Sequence, residues 1–225
     1  LGELITERDG AYPHHFTAFI NAPDFNCPGI ELVKTRLPLY RPSARIAWEQ
    51  TALRREIGRR NVDLLHGLVN VLPLSGRVSG VVTVHDLSFV RMPETLPTAK
   101  RAYLQRLSRA SVARARRVIA VSQQTADDLM HHFETPAGKI DVVYNGVGAE
   151  FSPGNESVNA EFRQKKALPE RFLLYLGTLE PRKNLSLLIN AYAQWPTKGD
   201  VALVLAGGKG WYYDEIFTLV HELGI

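Results

Sequence analysis

Two short segments of the 225-residue chain concentrate residue types that could do chemistry. The first reads Leu176-Gly177-Thr178-Leu179-Glu180-Pro181-Arg182-Lys183-Asn184, between an apolar run and a helix-period stretch. Gly177 allows a sharp turn or a close backbone approach at the end of a strand. Arg182 and Lys183 stand just before the helix, beside its unpaired N–H groups and the positive end of its dipole. Two cations, free donors and a glycine together suit a diphosphate. A solvated helix entry capped by Asn184 would use the same residue types, and spacing alone leaves both readings open.

The second segment is Thr83-Val84-His85-Asp86-Leu87, where a β-branched run stops at a histidine. An imidazole at the carboxyl end of a strand can hydrogen-bond a substrate hydroxyl or stabilise charge, and Asp86 can orient it or cap the next turn. A satisfied structural histidine is the plainer reading of the same residues. Gly207-Gly208-Lys209-Gly210 could bring backbone near a nucleotide, but it lacks the spacing of a P-loop and also reads as an ordinary turn. His14-His15 and His131-His132 are adjacent pairs with no carboxylate at ligand spacing, so no metal site is expected.

The elements that must position these residues alternate in period. Strands are expected over His15–Ile20, Ile30–Thr35, Val62–His66, Gly80–Val84, Val118–Val121 and Ile140–Tyr144. Helices are expected over Arg45–Arg60 and Ala99–Arg116, and from an N-cap at Ser122 to about His132. A polar stretch from Pro153 to Pro169 reads as a linker. The rhythm then restarts with strands at Phe172–Leu176 and Val201–Ala206 and helices at Leu185–Gln194 and Trp211–Leu223. Strand–helix–strand order implies parallel pairing, hence an α/β fold with ligands at the carboxyl ends of strands. The last two strands are nearly continuous in apolar residues, as in sheets covered on both faces. Two strands cannot make such a sheet, so a second, incomplete domain is expected.

Composition narrows the class. The chain is 45% hydrophobic and 22% charged, which excludes wholesale disorder. Cys27 is the single cysteine, so neither an intrachain disulfide nor a thiolate zinc cluster can form, and a reducing compartment is expected. No window approaches the ~18–20 apolar residues of a membrane span. The net charge is only +4, but Lys100, Arg101, Arg106, Arg109, Arg114, Arg116 and Arg117 form a run without an acidic residue. Such a run is a solvated face, a site for anionic lipid headgroups, or a nucleic-acid footprint. No nucleic-acid motif accompanies it, so no nucleic-acid partner is expected.

Five motifs occurring in order, VVTVHDL (81–87), VIAVSQQTADDL (118–129), VVYNGV (142–147), LLYLGTLEPRKNLSLLINAY (173–192) and LVLAGG (203–208), resemble the group 1, or family 4, retaining glycosyltransferases of the GT-B fold. The GTLEPRKN variant is similar to bacterial mannosyltransferase-type members that build surface polysaccharides. The resemblance implies two Rossmann-like domains facing a cleft. Residues 1–152 would be the acceptor-side domain without its first strand and loop, 153–170 a linker, and 171–225 the first part of the nucleotide-sugar domain. It implies transfer of mannose or a similar hexose, with retention, from a GDP- or UDP-linked sugar to a saccharide or lipid-linked acceptor. No metal or other cofactor is implied.

By the same resemblance, Gly177, Thr178, Arg182 and Lys183 bind the donor diphosphate, His85 borders the reacting sugar, and Gly207 and Gly208 lie on the nucleotide side. A cytoplasmic protein is implied, with peripheral contact to anionic membrane through residues 100–117. Many members carry Arg where this chain has Thr178, which leaves one phosphate contact weaker or transfers it to Arg182. The family's Glu-x7-Glu motif falls beyond residue 225, and its N-terminal glycine-rich loop would precede Leu1. A non-catalytic nucleotide- or sugar-binding fragment and a GT-B nucleotide-sugar epimerase are the alternatives.

Overall fold

A computed structural model describes residues 14–22, 24–35, 37–39 and 41–225. These fall into two compact units, one of described residues up to His66 together with Leu72–Gly80, the other of Gly67–Val71 and Val81–Ile225.

In the first unit, β1 (Thr17–Ile20) and β2 (Glu31–Lys34) pair in parallel, from Thr17 opposite Glu31 to Ile20 opposite Lys34. The helix expected over Arg45–Arg60 is two helices, α1 (Pro42–Gln50) and α2 (Ala52–Arg59). They break at Thr51, whose hydroxyl donates to the Ala47 carbonyl at 2.5 Å. A threonine hydroxyl that bonds back four residues competes with helix continuation, which periodicity cannot reveal. Leu53 and Ile57, one turn apart, bury the inner face of α2. Both ends of the Gln50 amide are used: its nitrogen donates to the Leu72 carbonyl (3.1 Å) and its oxygen accepts from the Leu74 N–H (2.9 Å).

The strands β3 (Leu64–Gly67), β4 (Ser79–Val84), β5 (Arg117–Ala120) and β6 (Ile140–Val142) form one sheet in that order. β4 and β5 run parallel with Val82 opposite Val118 and Val84 opposite Ala120, and all four side chains are buried. Leu87, Phe89, Val112 and Leu129 complete this core, from the chain after β4 and the helices α3 (Ser88–Arg91), α4 (Thr98–Arg114) and α5 (Gln123–Phe133). Full burial of such side chains contributes roughly 1.5–3 kcal/mol each, before the opposing entropy. Ser122 caps α5 as its sequence predicts, accepting from the Thr125 N–H at 3.1 Å. At the start of β5, Arg117 grips Asp141 of β6 with two nitrogens, Nε reaching Oδ2 at 2.8 Å, and also donates to the Gly138 carbonyl. The guanidinium holds the Asp141 carboxyl below its ordinary range, and the carboxylate raises the arginine in turn.

Residues 153–170, read as linker, carry the helix α6 (Glu156–Lys165), capped by the Asn155 side chain. Beyond it, β7 (Phe172–Leu176) and β8 (Ala202–Ala206) pair in parallel along their whole length. The helices α7 (Leu185–Ala193) and α8 (Asp214–Leu223) supply Leu185, Ile189 and Ile216 to a cluster with Leu179, Tyr175 and Leu205. Leu174 and Leu176 of β7 are exposed, Leu176 at 77%, so among the described residues one face of this two-stranded sheet is uncovered. Alternate residues of a strand face opposite ways, and α7 and α8 cover the face that carries Tyr175. Trp211, after β8, donates its indole N–H to the Thr95 carbonyl at 2.6 Å, and Lys100 stands 3.9 Å from its ring centroid.

Candidate functional site

The β-branched run of β4 ends with His85 at its carboxyl end, exposed. Its backbone N–H donates to Oδ1 of Asn70 (3.1 Å), and its Nε2 lies 2.9 Å from the Leu68 carbonyl. A carbonyl oxygen only accepts, so Nε2 carries the proton and Nδ1 is the nitrogen left for a ligand. In the neutral ring that Nδ1 accepts from a hydroxyl; in the charged ring it donates. Asp86 does not orient the imidazole. Its Oδ1 accepts from the Ser88 N–H (2.9 Å) and hydroxyl (2.6 Å), a turn at the start of α3. His85 is held instead by residues 68–70, the loop after β3, where Asn70 takes a left-handed conformation at φ 56°. Asparagine tolerates that region, but nothing in the local sequence marks Asn70 as the partner of a residue fifteen positions away.

The cationic loop is held by backbone on both sides. Gly177 N–H donates to the Ala206 carbonyl, Leu179 N–H to that of Gly208 and Gly210 N–H to that of Leu179, at 2.9–3.0 Å. Parallel pairing of β7 with β8 thus places Gly177 and Thr178 beside Gly207 and Gly208. A Cβ on Gly207 would collide with the Gly177 carbonyl oxygen, so this glycine answers to the close approach of the two loops. Tyr175 adds a side-chain tie, its hydroxyl donating to the Thr178 carbonyl at 3.0 Å, where a Cβ on Gly177 would crowd it.

Pro181 opens a 3₁₀ turn, Pro181–Lys183, and Asn184 follows in the left-handed region with no side-chain bond to α7. The alternative in which Asn184 caps the helix is therefore not what forms. The first-turn N–H groups of α7 keep their capacity for an anion. Lys183 is exposed, and none of the hydrogen bonds and ion pairs among the described residues engages its ammonium. Arg182 differs: Nε (3.0 Å) and Nη2 (2.8 Å) both donate to Oε1 of Glu180, a buried residue. Sequence reading assigned Glu180 no role, and the signal it offered was an acid and a base two residues apart across a proline.

The hydrogen bonds of His85 run to Leu68, Asn70 and, through its carbonyl, Thr125; none joins it to the 177–184 loop. Cavities of about 450 and 720 Å³ lie elsewhere, one between α7 and α8, the other between α2 and residues 75–79. Among the described residues no three His, Cys, Asp or Glu side chains are grouped to hold a metal ion.

Parallel strands with connecting helices and with polar loops at their carboxyl ends define a Rossmann-like α/β protein. The chain belongs to glycosyltransferase family 4, whose model matches residues 7–151, and the model of glycosyl transferases group 1 matches 158–225. Among curated relatives, it is 30% identical over 145 residues to O-antigen chain mannosyltransferase B of Escherichia coli, covering 63% of this chain and 38% of that protein. The chain thus matches well under half the length of that relative. Among solved structures, it is similar to WaaG, a glycosyltransferase involved in lipopolysaccharide biosynthesis (TM-score 0.64, 16% identity, 94% of this chain and 60% of that one). It is also similar to Anabaena Alr3699/HepE in complex with UDP-glucose (TM-score 0.60, 21% identity, 87% and 52%). The fold is of the GT-B type.

Proposed function

We propose that this chain is part of a hexosyltransferase that moves mannose or a similar hexose from a nucleoside-diphosphate sugar to a saccharide or lipid-linked acceptor in polysaccharide biosynthesis. The observation that carries the proposal is the uncompensated Lys183 ammonium at the mouth of α7, on a loop fixed by β7–β8 pairing. Departure of the nucleoside diphosphate builds negative charge on phosphate oxygens. A cation carried on that loop, beside free helix N–H groups, stabilises that charge as it forms. Mannosyl transfer by an E. coli relative and the UDP-glucose held by Anabaena HepE support the donor class. His85, with Nδ1 free, accepts from a hydroxyl of the donor sugar. The acceptor oxygen attacks on the face that the leaving group vacates, which retains configuration. Lys183 and the helix N-terminus serve without a metal ion. Peripheral contact with anionic membrane falls to residues 100–117.

The test uses the full-length enzyme with GDP-mannose and UDP-glucose in excess EDTA. We expect turnover by the parent and a loss of roughly 10²–10³-fold in Lys183→Ala, the size of one lost charge-stabilising donor. Parental rates in Lys183→Ala would remove the diphosphate assignment. Activity abolished by EDTA and restored by Mg²⁺ would remove the metal-independent one.

A further inference from the structure

We propose that Glu180 is a positioning residue: it holds Arg182 so that the guanidinium's remaining Nη1 edge meets the donor diphosphate beside Lys183. The inference rests on the diphosphate reading of the 177–184 loop and concerns Glu180, to which that reading gives no role.

Three observations carry it. The Glu180 carboxylate is buried, its side chain 4% exposed, whereas the arginine is 29% exposed. A carboxylate out of water must be matched, and Arg182 matches it with two nitrogens on a single oxygen. Nε and Nη2 are thereby spent, and among the described residues no bond takes Nη1. Secondly, only Pro181 separates the pair. Its ring fixes φ and starts the 3₁₀ turn, so the side chains meet across a nearly rigid link. Thirdly, the residue ahead of Glu180 is clamped on both sides, Leu179 donating to Gly208 and accepting from Gly210. The acid sits on fixed backbone and the base is fixed by the acid.

An unheld arginine at a loop surface loses several freely rotating bonds when it meets an anion, whereas one already fixed loses little. Thr178 leaves the loop without a cation at its start, so a pre-ordered Arg182 supplies the second charge that a diphosphate requires. Glu180 meets the guanidinium from the buried side, which leaves the exposed part of Arg182 to a ligand.

The full-length protein is titrated by calorimetry with UDP, GDP and inorganic pyrophosphate, and with uridine and guanosine as controls. Glu180→Gln keeps the shape of the side chain and leaves no unpaired buried charge, and a thermal melt confirms its fold. We expect Glu180→Gln and Arg182→Lys each to weaken diphosphate binding roughly tenfold while leaving nucleoside binding unchanged. The double variant should be no weaker than either single one, as for two residues acting through one contact. Parental diphosphate affinity in either single variant, or additive losses in the double, overturns the proposal. So does an equal loss for nucleosides, which marks a merely structural role. Lys183→Ala separates the two levels: if it too binds diphosphate like the parent, the reading of the loop fails. If it alone loses binding, that reading stands and the Glu180 assignment falls.

Discussion

At the residue scale, the histidine and the lysine of the two segments stand in opposite situations. His85 is fully engaged on one side, with Nε2 bound to the Leu68 carbonyl and the backbone N–H to Asn70. The exposed ammonium of Lys183 has a flexible stem and no such anchor. A histidine with one nitrogen tied to a carbonyl presents a defined acceptor at the other, which is how a fixed tautomer orients a sugar hydroxyl. In the full-length enzyme, His85→Ala should lower kcat roughly 10- to 100-fold, the range of one hydrogen bond that strengthens in the transition state. The affinity for UDP or GDP should stay unchanged. Steady-state kinetics beside calorimetry checks this. Equal kcat in parent and variant would return His85 to a structural role at the end of β4.

At the scale of elements, the sequence pattern locates most strands to within a residue or two, because the strands of a parallel sheet write themselves as apolar, often β-branched runs. Gly80–Val84 and Val118–Val121 appear as β4 and β5 on that ground, and Ser122 caps α5 where its side chain foretells. What pattern does not show depends on particular hydrogen-bond partners, near or far in sequence. The break at Thr51 needs the Ala47 carbonyl, and the seat of His85 needs Asn70. Glu180 looked like one more polar loop residue because its burial comes from the β7–β8 clamp and not from local pattern. The α6 helix in 153–170 buries no residue, and its larger apolar side chains, Val158 and Phe162, are both exposed, a single pair too short to mark a helix by period.

The pairing of β5 with β6 carries a consequence for pH. Arg117 keeps Asp141 ionised to lower pH than an ordinary carboxylate. The folded form therefore gains stability that is complete above the ordinary carboxylate range and is lost as pH falls through the depressed value. In thermal melts from pH 7 down to pH 3, Asp141→Asn should melt below the parent at neutral pH and converge with it on acidification. The gap should be a few degrees at most, because both partners are half-exposed. A gap that stays constant with pH would show that the amide's shape, and not the charge, makes the difference.

At the scale of the whole molecule, the basic run 100–117 keeps most of its charges, but most of its cationic side chains are engaged within the fold. Lys100 lies on the Trp211 ring, Arg101 donates to the Pro93 carbonyl, and Arg109 donates to that of His132 while facing the Phe133 ring. Arg114 has partners within the fold, and Arg117 is bound to Asp141. Arg106 and Arg116 are exposed, and among the described residues no such contact engages them. No helix among the described residues is long and apolar enough to cross a membrane, so attraction to a bilayer through this run would be electrostatic, and Arg106 and Arg116 are the members whose side chains can turn to it without breaking a contact. Each basic residue near an anionic surface is worth roughly fivefold in binding. Charge reversal at both, Arg106→Glu with Arg116→Glu, should weaken sedimentation of the full-length protein with vesicles of one-third phosphatidylglycerol by roughly 30-fold or more at low salt. Reversal at Arg109 or Arg117 would be a poor substitute, since it would break contacts that hold α5 and β6. If the double variant sediments as the parent does, residues 100–117 are a solvated helix face and the contact with anionic membrane lies elsewhere or does not exist.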